Sequence, residues 1–111
     1  MGQSFAFDRA PGDYYAGAAT AGAATLDGVC GKVTSEALTT AAGADYTLTL
    51  TNSKIGLASN VVVSVANGTN TTAGIQVCRV QPLAGSVVIL IRNIHASAAL
   101  NGTIVVSFNV L

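Results

Sequence analysis

Hydrophobic and polar residues alternate with a period of two along most of the chain beyond residue 28, and that period predicts β-strands. In residues 46–51, Tyr46, Leu48 and Leu50 take one face while Thr47, Thr49 and Thr51 take the other. Val61, Val63 and Val65 form the inward set of the next run. Near the end, Ile104, Val106, Phe108 and Val110 oppose Val105, Ser107 and Asn109. The predicted strands are Val29–Thr34, Tyr46–Thr51, Asn60–Ala66, Gly74–Val80, Ser86–Asn93 and Thr103–Val110, separated by clusters of Gly, Asn, Ser and Asp. One apolar face per strand predicts an all-β fold, an antiparallel β-sandwich. The run Val87-Val88-Ile89-Leu90-Ile91 departs from alternation. It is apolar on both faces and needs cover on both, either inside the monomer or from another subunit. No stretch beyond residue 28 keeps a helical period for ten residues, so residues 39–45, 53–59 and 95–102 are expected to be loops.

Residues 1–28 read differently. They hold the adjacent pair Tyr14-Tyr15 and the small-residue run from Ala16 to Thr25. Each glycine in that run costs a helix about 1 kcal/mol, and no large apolar side chain anchors a helix there. The expectation is an N-terminal arm over residues 1–28, extended or partly disordered alone and ordering on a partner. A single β-sandwich domain over residues 29–111 follows, since 111 residues suffice for one core.

Composition shifts the picture toward assembly. Half of the chain is hydrophobic, but only 9% is charged and the net charge is zero, a balance that favours association over solubility. All five acids lie at or before Asp45 with only two bases, leaving −3 there and +3 beyond it from Lys54, Arg79 and Arg92. The two parts are suited to pair within or between subunits, although chance placement explains the asymmetry equally well. Five scattered bases make no patch for nucleic acid. The first residues lack a basic stretch followed by an apolar one, and the longest apolar run is far below the roughly 20 residues of a membrane span. The expected partners therefore include neither nucleic acid nor membrane, and synthesis is expected in the cytoplasm.

Candidate chemistry is sparse. His95 is the lone histidine, without Cys, Asp or Glu at metal-ligand spacing. Ser97 is close to it, but no carboxylate follows Asp45 to complete a triad, and the acids sit in early segments rather than on facing strands. The glycines of the Ala-rich run lack the flanking strand, Lys and Ser of a phosphate loop. A non-enzymatic protein is expected, with no catalytic, cofactor-binding or metal-binding residues. Cys30 and Cys78 are expected as free thiols packed in the core or an interface. A bridge between them requires neighbouring strands and an oxidising medium. Asn67-Gly68-Thr69, Asn70-Thr71-Thr72 and Asn101-Gly102-Thr103 are expected as turns.

Phrases such as Gly31-Lys32-Val33-Thr34-Ser35, Thr47-Leu48-Thr49-Leu50-Thr51-Asn52 and Ala99-Leu100-Asn101-Gly102-Thr103-Ile104 resemble small structural proteins of tailed-bacteriophage virions, the capsid decoration (cement) proteins. The resemblance spans residues 28–111. It implies a β-sandwich or jelly-roll-like fold, often a homotrimer, on the capsid surface of the virion where major capsid protein subunits meet. It also implies an arm that reaches the capsid or a neighbouring subunit. Phe5, Phe7, Tyr14 and Tyr15 hold most of the chain's aromatic side chains and are the expected anchors of that arm. A phage fibre or receptor-binding module contacting host glycans is the alternative, weakened by the lack of acids beside the later aromatics. A bacterial surface module is a third class, which the absence of a secretory signal disfavours.

Overall fold

The structure, a computed structural model, describes residues 15–111. Eight strands form: β1 (Tyr15–Ala18), β2 (Ala23–Thr25), β3 (Cys30–Thr34), β4 (Asp45–Thr51), β5 (Val61–Asn67), β6 (Ile75–Leu83), β7 (Ser86–Asn93) and β8 (Ile104–Val110). They make two four-stranded sheets, ordered β1-β3-β8-β5 and β2-β4-β7-β6. The expected sandwich is what the chain builds. Each strand has one apolar face, so successive strands bury theirs by stacking. Every connection crosses between the sheets except the tight β6–β7 hairpin.

The alternation read from the sequence sets the core. Tyr46, Leu48 and Leu50 of β4 face Val87, Ile89 and Ile91 of β7 from within one sheet, against Ile104, Val106 and Phe108 of the other. Val33, Leu50, Ile89 and Ile104 are fully buried. Burying each such side chain is worth about 1.5–3 kcal/mol. Phe108 lies across from Gly31, where an added Cβ would sit 3.1 Å from the phenyl ring and 2.7 Å from the Tyr15 carbonyl. Glycine lets these three elements approach.

Three expectations need correction. The run after Tyr14 belongs to the sandwich rather than to a separate arm. Ala21 and Gly22 both have positive φ, and Thr20 and Ala23 exchange two backbone hydrogen bonds of 2.9 and 3.0 Å. This is a two-residue hairpin turn with a primed-type twist. Its arms then part: β1 pairs in parallel with β3 in the first sheet, and β2 pairs in parallel with β4 in the second. Ladder bonds, the buried Ala19 and Ala24 and the half-buried Leu26 hold the segment. The sandwich therefore includes residues 15–28 and is not purely antiparallel.

Within the single chain, the doubly apolar β7 has the other sheet over one face. Val88 and Leu90 lie half-buried on the outer face between Thr49 and Thr47 of β4 and Gln81 and Arg79 of β6. Within the chain, these lateral neighbours shelter them. The strand expected to stop at Val80 runs on to Leu83 through Pro82, which an edge strand tolerates because its outer N–H has no ladder partner.

Strand directions follow from the pairing. β1, β3 and β5 run one way with β8 against them, while β2, β4 and β6 run together against β7. Loops 20–22, 35–44, 68–74 and 94–103 thus gather at one end of the sandwich. Loops 26–29, 52–60 and 84–85 gather at the other, with the start of β1 and the C-terminus.

Candidate functional site

The densest polar cluster is the end that carries loops 68–74 and 94–103. Two identical tripeptides, Asn67-Gly68-Thr69 and Asn101-Gly102-Thr103, meet there head to tail. The Thr69 amide donates to Thr103 Oγ1 at 2.9 Å, and the Thr103 amide donates to Thr69 Oγ1 at 2.8 Å. The two hydroxyl oxygens are 3.2 Å apart. A Cβ on Gly68 would strike Thr103 Oγ1, and one on Gly102 would crowd Thr69 Oγ1, so each glycine permits the other strand's threonine to close in. Asn70, nearly fully buried, accepts from the Thr72 and Asn101 amides and donates to Asn67 Oδ1 and the Thr72 carbonyl. Asn101 completes the clasp by accepting from the Thr71 amide and donating to its hydroxyl.

Asn93 does the same for the adjoining loops. Its amide group donates to the Thr40 and Ala98 carbonyls and its Oδ1 accepts the His95 amide. Its backbone exchanges bonds with Gly43 and Ala44. His95 Nδ1 accepts from the Ser97 and Ala98 amides at 3.1 and 2.9 Å. Nδ1 is thus occupied as an acceptor of backbone amides, and Ser97 meets the ring through its backbone. His95 is a loop-shaping side chain.

At the opposite end Asn52, fully buried, accepts the Gly28 and Lys54 amides and donates to the Gly28 carbonyl. It ties the β2–β3 link to the end of β4. Asn52 and Asn93 were missed as key residues because asparagine near a strand end reads as turn punctuation. A signal was present. Tyr46, Leu48, Leu50 and Asn52 share one parity, and so do Val87, Ile89, Ile91 and Asn93. An asparagine in phase with the inward set continues the buried face past the last hydrophobic residue, where its amide caps the backbone of the neighbouring loop.

This second end carries the exposed polar groups Asp27, Ser53, Lys54 and Asn60, and beside them most of the exposed large apolar side chains. Tyr15 opens β1 and is 53% exposed. Val29 precedes β3, Leu57 sits in the β4–β5 loop at 72%, Val62 is second in β5, Leu83 ends β6 and Leu111 follows β8 at 77%. These are six of the seven large hydrophobic residues exposed among the described residues; the seventh, Ile94, is at the other end. Their grouping at one end, among Asp27 and Lys54, distinguishes that end from the other, where Ile94 alone is exposed among the large hydrophobic residues described. Of the expected anchors, Tyr15 lies here, its ring over Gly28, and Phe5, Phe7 and Tyr14 lie outside the described residues.

The remaining candidates are dispersed. Cys30 is buried in the first sheet and Cys78 exposed at the β-bulge of the second; both are free, and their strands are not neighbours. Asp45 and Arg92 form a salt bridge of 2.8 Å across β4 and β7, which joins an acid of the first part to a base of the second inside the body. The Arg92 guanidinium holds the Asp45 carboxyl below the usual carboxylate range. The Tyr46 hydroxyl donates to Glu36 Oε1 at 2.8 Å, and burial, followed by that carboxylate, pushes its pKa well above the usual tyrosine value. Among the described residues, no three His, Cys, Asp or Glu side chains converge to hold a metal. No helix there is long and apolar enough to cross a membrane. Compared with known proteins, the chain matches no family model, no curated protein and no solved structure.

Proposed function

We propose that the protein is a non-enzymatic virion structural protein, a homo-oligomer that decorates and stabilises a phage capsid by binding between major capsid protein subunits. The carrying observation is the division of the sandwich into two unlike ends. One end presents Tyr15, Val29, Leu57, Val62, Leu83 and Leu111 to solvent. Removing such a surface from water against a partner is favourable at about 25 cal/mol per Å² of apolar area. At the other end Asn67, Thr69, Asn70, Thr71, Asn101 and Thr103 bond to one another across two loops, as suits a surface that remains wet. Those bonds pin the loops there. Cementing needs burial and rigidity, and both are properties of this body. The segment that carries Phe5, Phe7 and Tyr14 leads into the apolar end through Tyr15, so arm and end would grip the same partner.

Co-sedimentation with purified expanded capsids tests the reading. The chain is expected to pellet with the particles and to raise their resistance to heat. The pair Leu57→Glu and Leu111→Glu, at the two most exposed of these positions, is expected to abolish pelleting while leaving the thermal unfolding of the free protein within a few degrees of wild type. Deletion of residues 1–14 is expected to weaken it. Binding unaffected by both changes would defeat the proposal, as would binding to a host glycan with none to capsids.

A further inference from the structure

We propose that the free edge of β5 is a self-association site, where β5 of a second copy pairs antiparallel about a two-fold axis at Ser64. The inference stands on the edge alone and does not depend on the capsid reading.

Among the described residues, the two open sheets have four edge strands, β1, β2, β5 and β6. Exposed edges invite pairing with other chains, and proteins blunt them with brevity, charge, proline or bulges. Three of the four edges are blunted. β1 has four residues including Gly17, and β2 has three. β6 carries Arg79, Pro82 and a bulge between Val77 and Arg79. β5 has none of these devices. Its seven residues, Val61-Val62-Val63-Ser64-Val65-Ala66-Asn67, contain no charge, proline, glycine or bulge, and they pair straight through with β8.

Register identifies the groups on offer. The Leu111 amide donates to the Asn60 carbonyl, and the Gly68 amide to the Thr103 carbonyl, at the two ends of the β5–β8 ladder. In an antiparallel pair the bonded positions recur every second residue. Val62, Ser64 and Ala66 therefore bond to β8, and the N–H and C=O groups of Val61, Val63 and Val65 point away from it. The side chains of these three valines pack against the core but stay partly exposed along this open flank. A second strand would satisfy the backbone row and complete their burial in one step.

The sequence is self-complementary in the required register. A two-fold axis at Ser64 sets Val63 opposite Val65 of the other copy as a hydrogen-bonded pair, with Val61 opposite Asn67. On the outer face it sets Ser64 opposite Ser64, and Val62 opposite Ala66. No like charges meet, and the residues nearest the axis are small. The two first sheets then join as one eight-stranded sheet. A two-fold contact of this kind generates dimers, in contrast to the trimer that the virion-protein resemblance implies.

Light scattering behind size exclusion tests the site, with Ser64→Lys as the probe. Ser64 is exposed, so the lysine leaves the core untouched, but it places like charges face to face at the axis. Wild type is expected at twice the 11.0 kDa chain mass, and Ser64→Lys at the single-chain mass with an unchanged circular dichroism spectrum. A second arm uses Ser64→Cys in a Cys78→Ser background. Mild oxidation is expected to link most of that protein into a covalent dimer, because facing side chains at a non-hydrogen-bonded pair have Cβ atoms about 4.5–5.5 Å apart. The same construction at Ala66 is expected to cross-link far less. A monomeric wild type, an oligomer that persists in Ser64→Lys, or equal cross-linking at both positions would each overturn the proposal.

Discussion

Asn52 shows how a single side chain organises an end of the fold. It has no exposed surface and serves three backbone groups in two segments, the Gly28 amide and carbonyl and the Lys54 amide. Asn52→Ala leaves the buried Gly28 amide and carbonyl unsatisfied, at about 1–3 kcal/mol for each one that water cannot reach. A fall in the thermal midpoint of several degrees is expected by circular dichroism, since roughly 4–8 °C accompanies each kcal/mol in a domain of this size. Asn60→Ala, at an exposed position whose backbone carbonyl alone is used, is expected to shift the midpoint by no more than a degree or two. Equal shifts would mean that the Asn52 amide is not holding the β2–β3 link. The residue was visible in the sequence, and so was its phase with Tyr46, Leu48 and Leu50. Its burial was not, because phase gives the side of a strand but not whether a loop folds back over its end.

At the scale of elements, the hairpin that joins β1 to β2 marks the limit of pattern reading. Hydrophobic alternation found the six strands with large apolar faces, because each announces its own buried side. Residues 15–25 have almost no such face, and they are held by what they pair with, the edges of β3 and β4. Two glycines separate this contribution from simple backbone strain. Gly22 and Gly43 have φ of 77° and 78°, so alanine at either position adopts the same disfavoured conformation. An added Cβ at Gly43 meets nothing within 4 Å, whereas one at Gly22 lies 2.6 Å from the Thr47 carbonyl oxygen of β4. Gly43→Ala is expected to cost about 1–2 kcal/mol, the left-handed penalty alone. Gly22→Ala is expected to cost more, because the hairpin must lift away from β4. Urea midpoints that fall equally would show that the hairpin is not pressed against the sheet. The clasp at the far end allows a similar dissection. Thr69→Val and Thr103→Val, singly and together, are expected to give a coupling of 0.5–3 kcal/mol, as contacting residues in one network do. A coupling near zero would reduce the two tripeptides to independent turns. Each Asn-Gly-Thr was legible as a turn, but their meeting was not, since 34 residues separate them.

For the whole molecule, the same β4 that supplies core side chains also couples folding to pH at both extremes. Tyr46 is an acid whose folded pKa lies above its unfolded value near 10, through burial first and the Glu36 carboxylate second. The unfolded chain therefore releases this proton more readily. The stabilisation is complete below about pH 10 and is lost as pH climbs from there toward the folded value. Asp45 has the opposite sign. Its hydrogen bond to Arg92 lowers the folded value, so the stabilisation is present above the ordinary carboxylate range and is lost as pH falls through the folded value. The pair is exposed, so salt is expected to flatten the acid limb, whereas the sheltered tyrosine keeps its alkaline limb at high salt. Urea midpoints measured from pH 3 to 11 on wild type, Tyr46→Phe and Asp45→Asn resolve the two groups. At neutral pH, Tyr46→Phe is expected to lie below wild type for want of the Glu36 hydrogen bond. The gap should close above pH 10 as wild type loses what the variant never had. Asp45→Asn should converge with wild type below pH 4. Curves that run parallel above pH 10 would show that Tyr46 titrates alike in the folded and unfolded chain, and its bond to Glu36 would then have to open in solution.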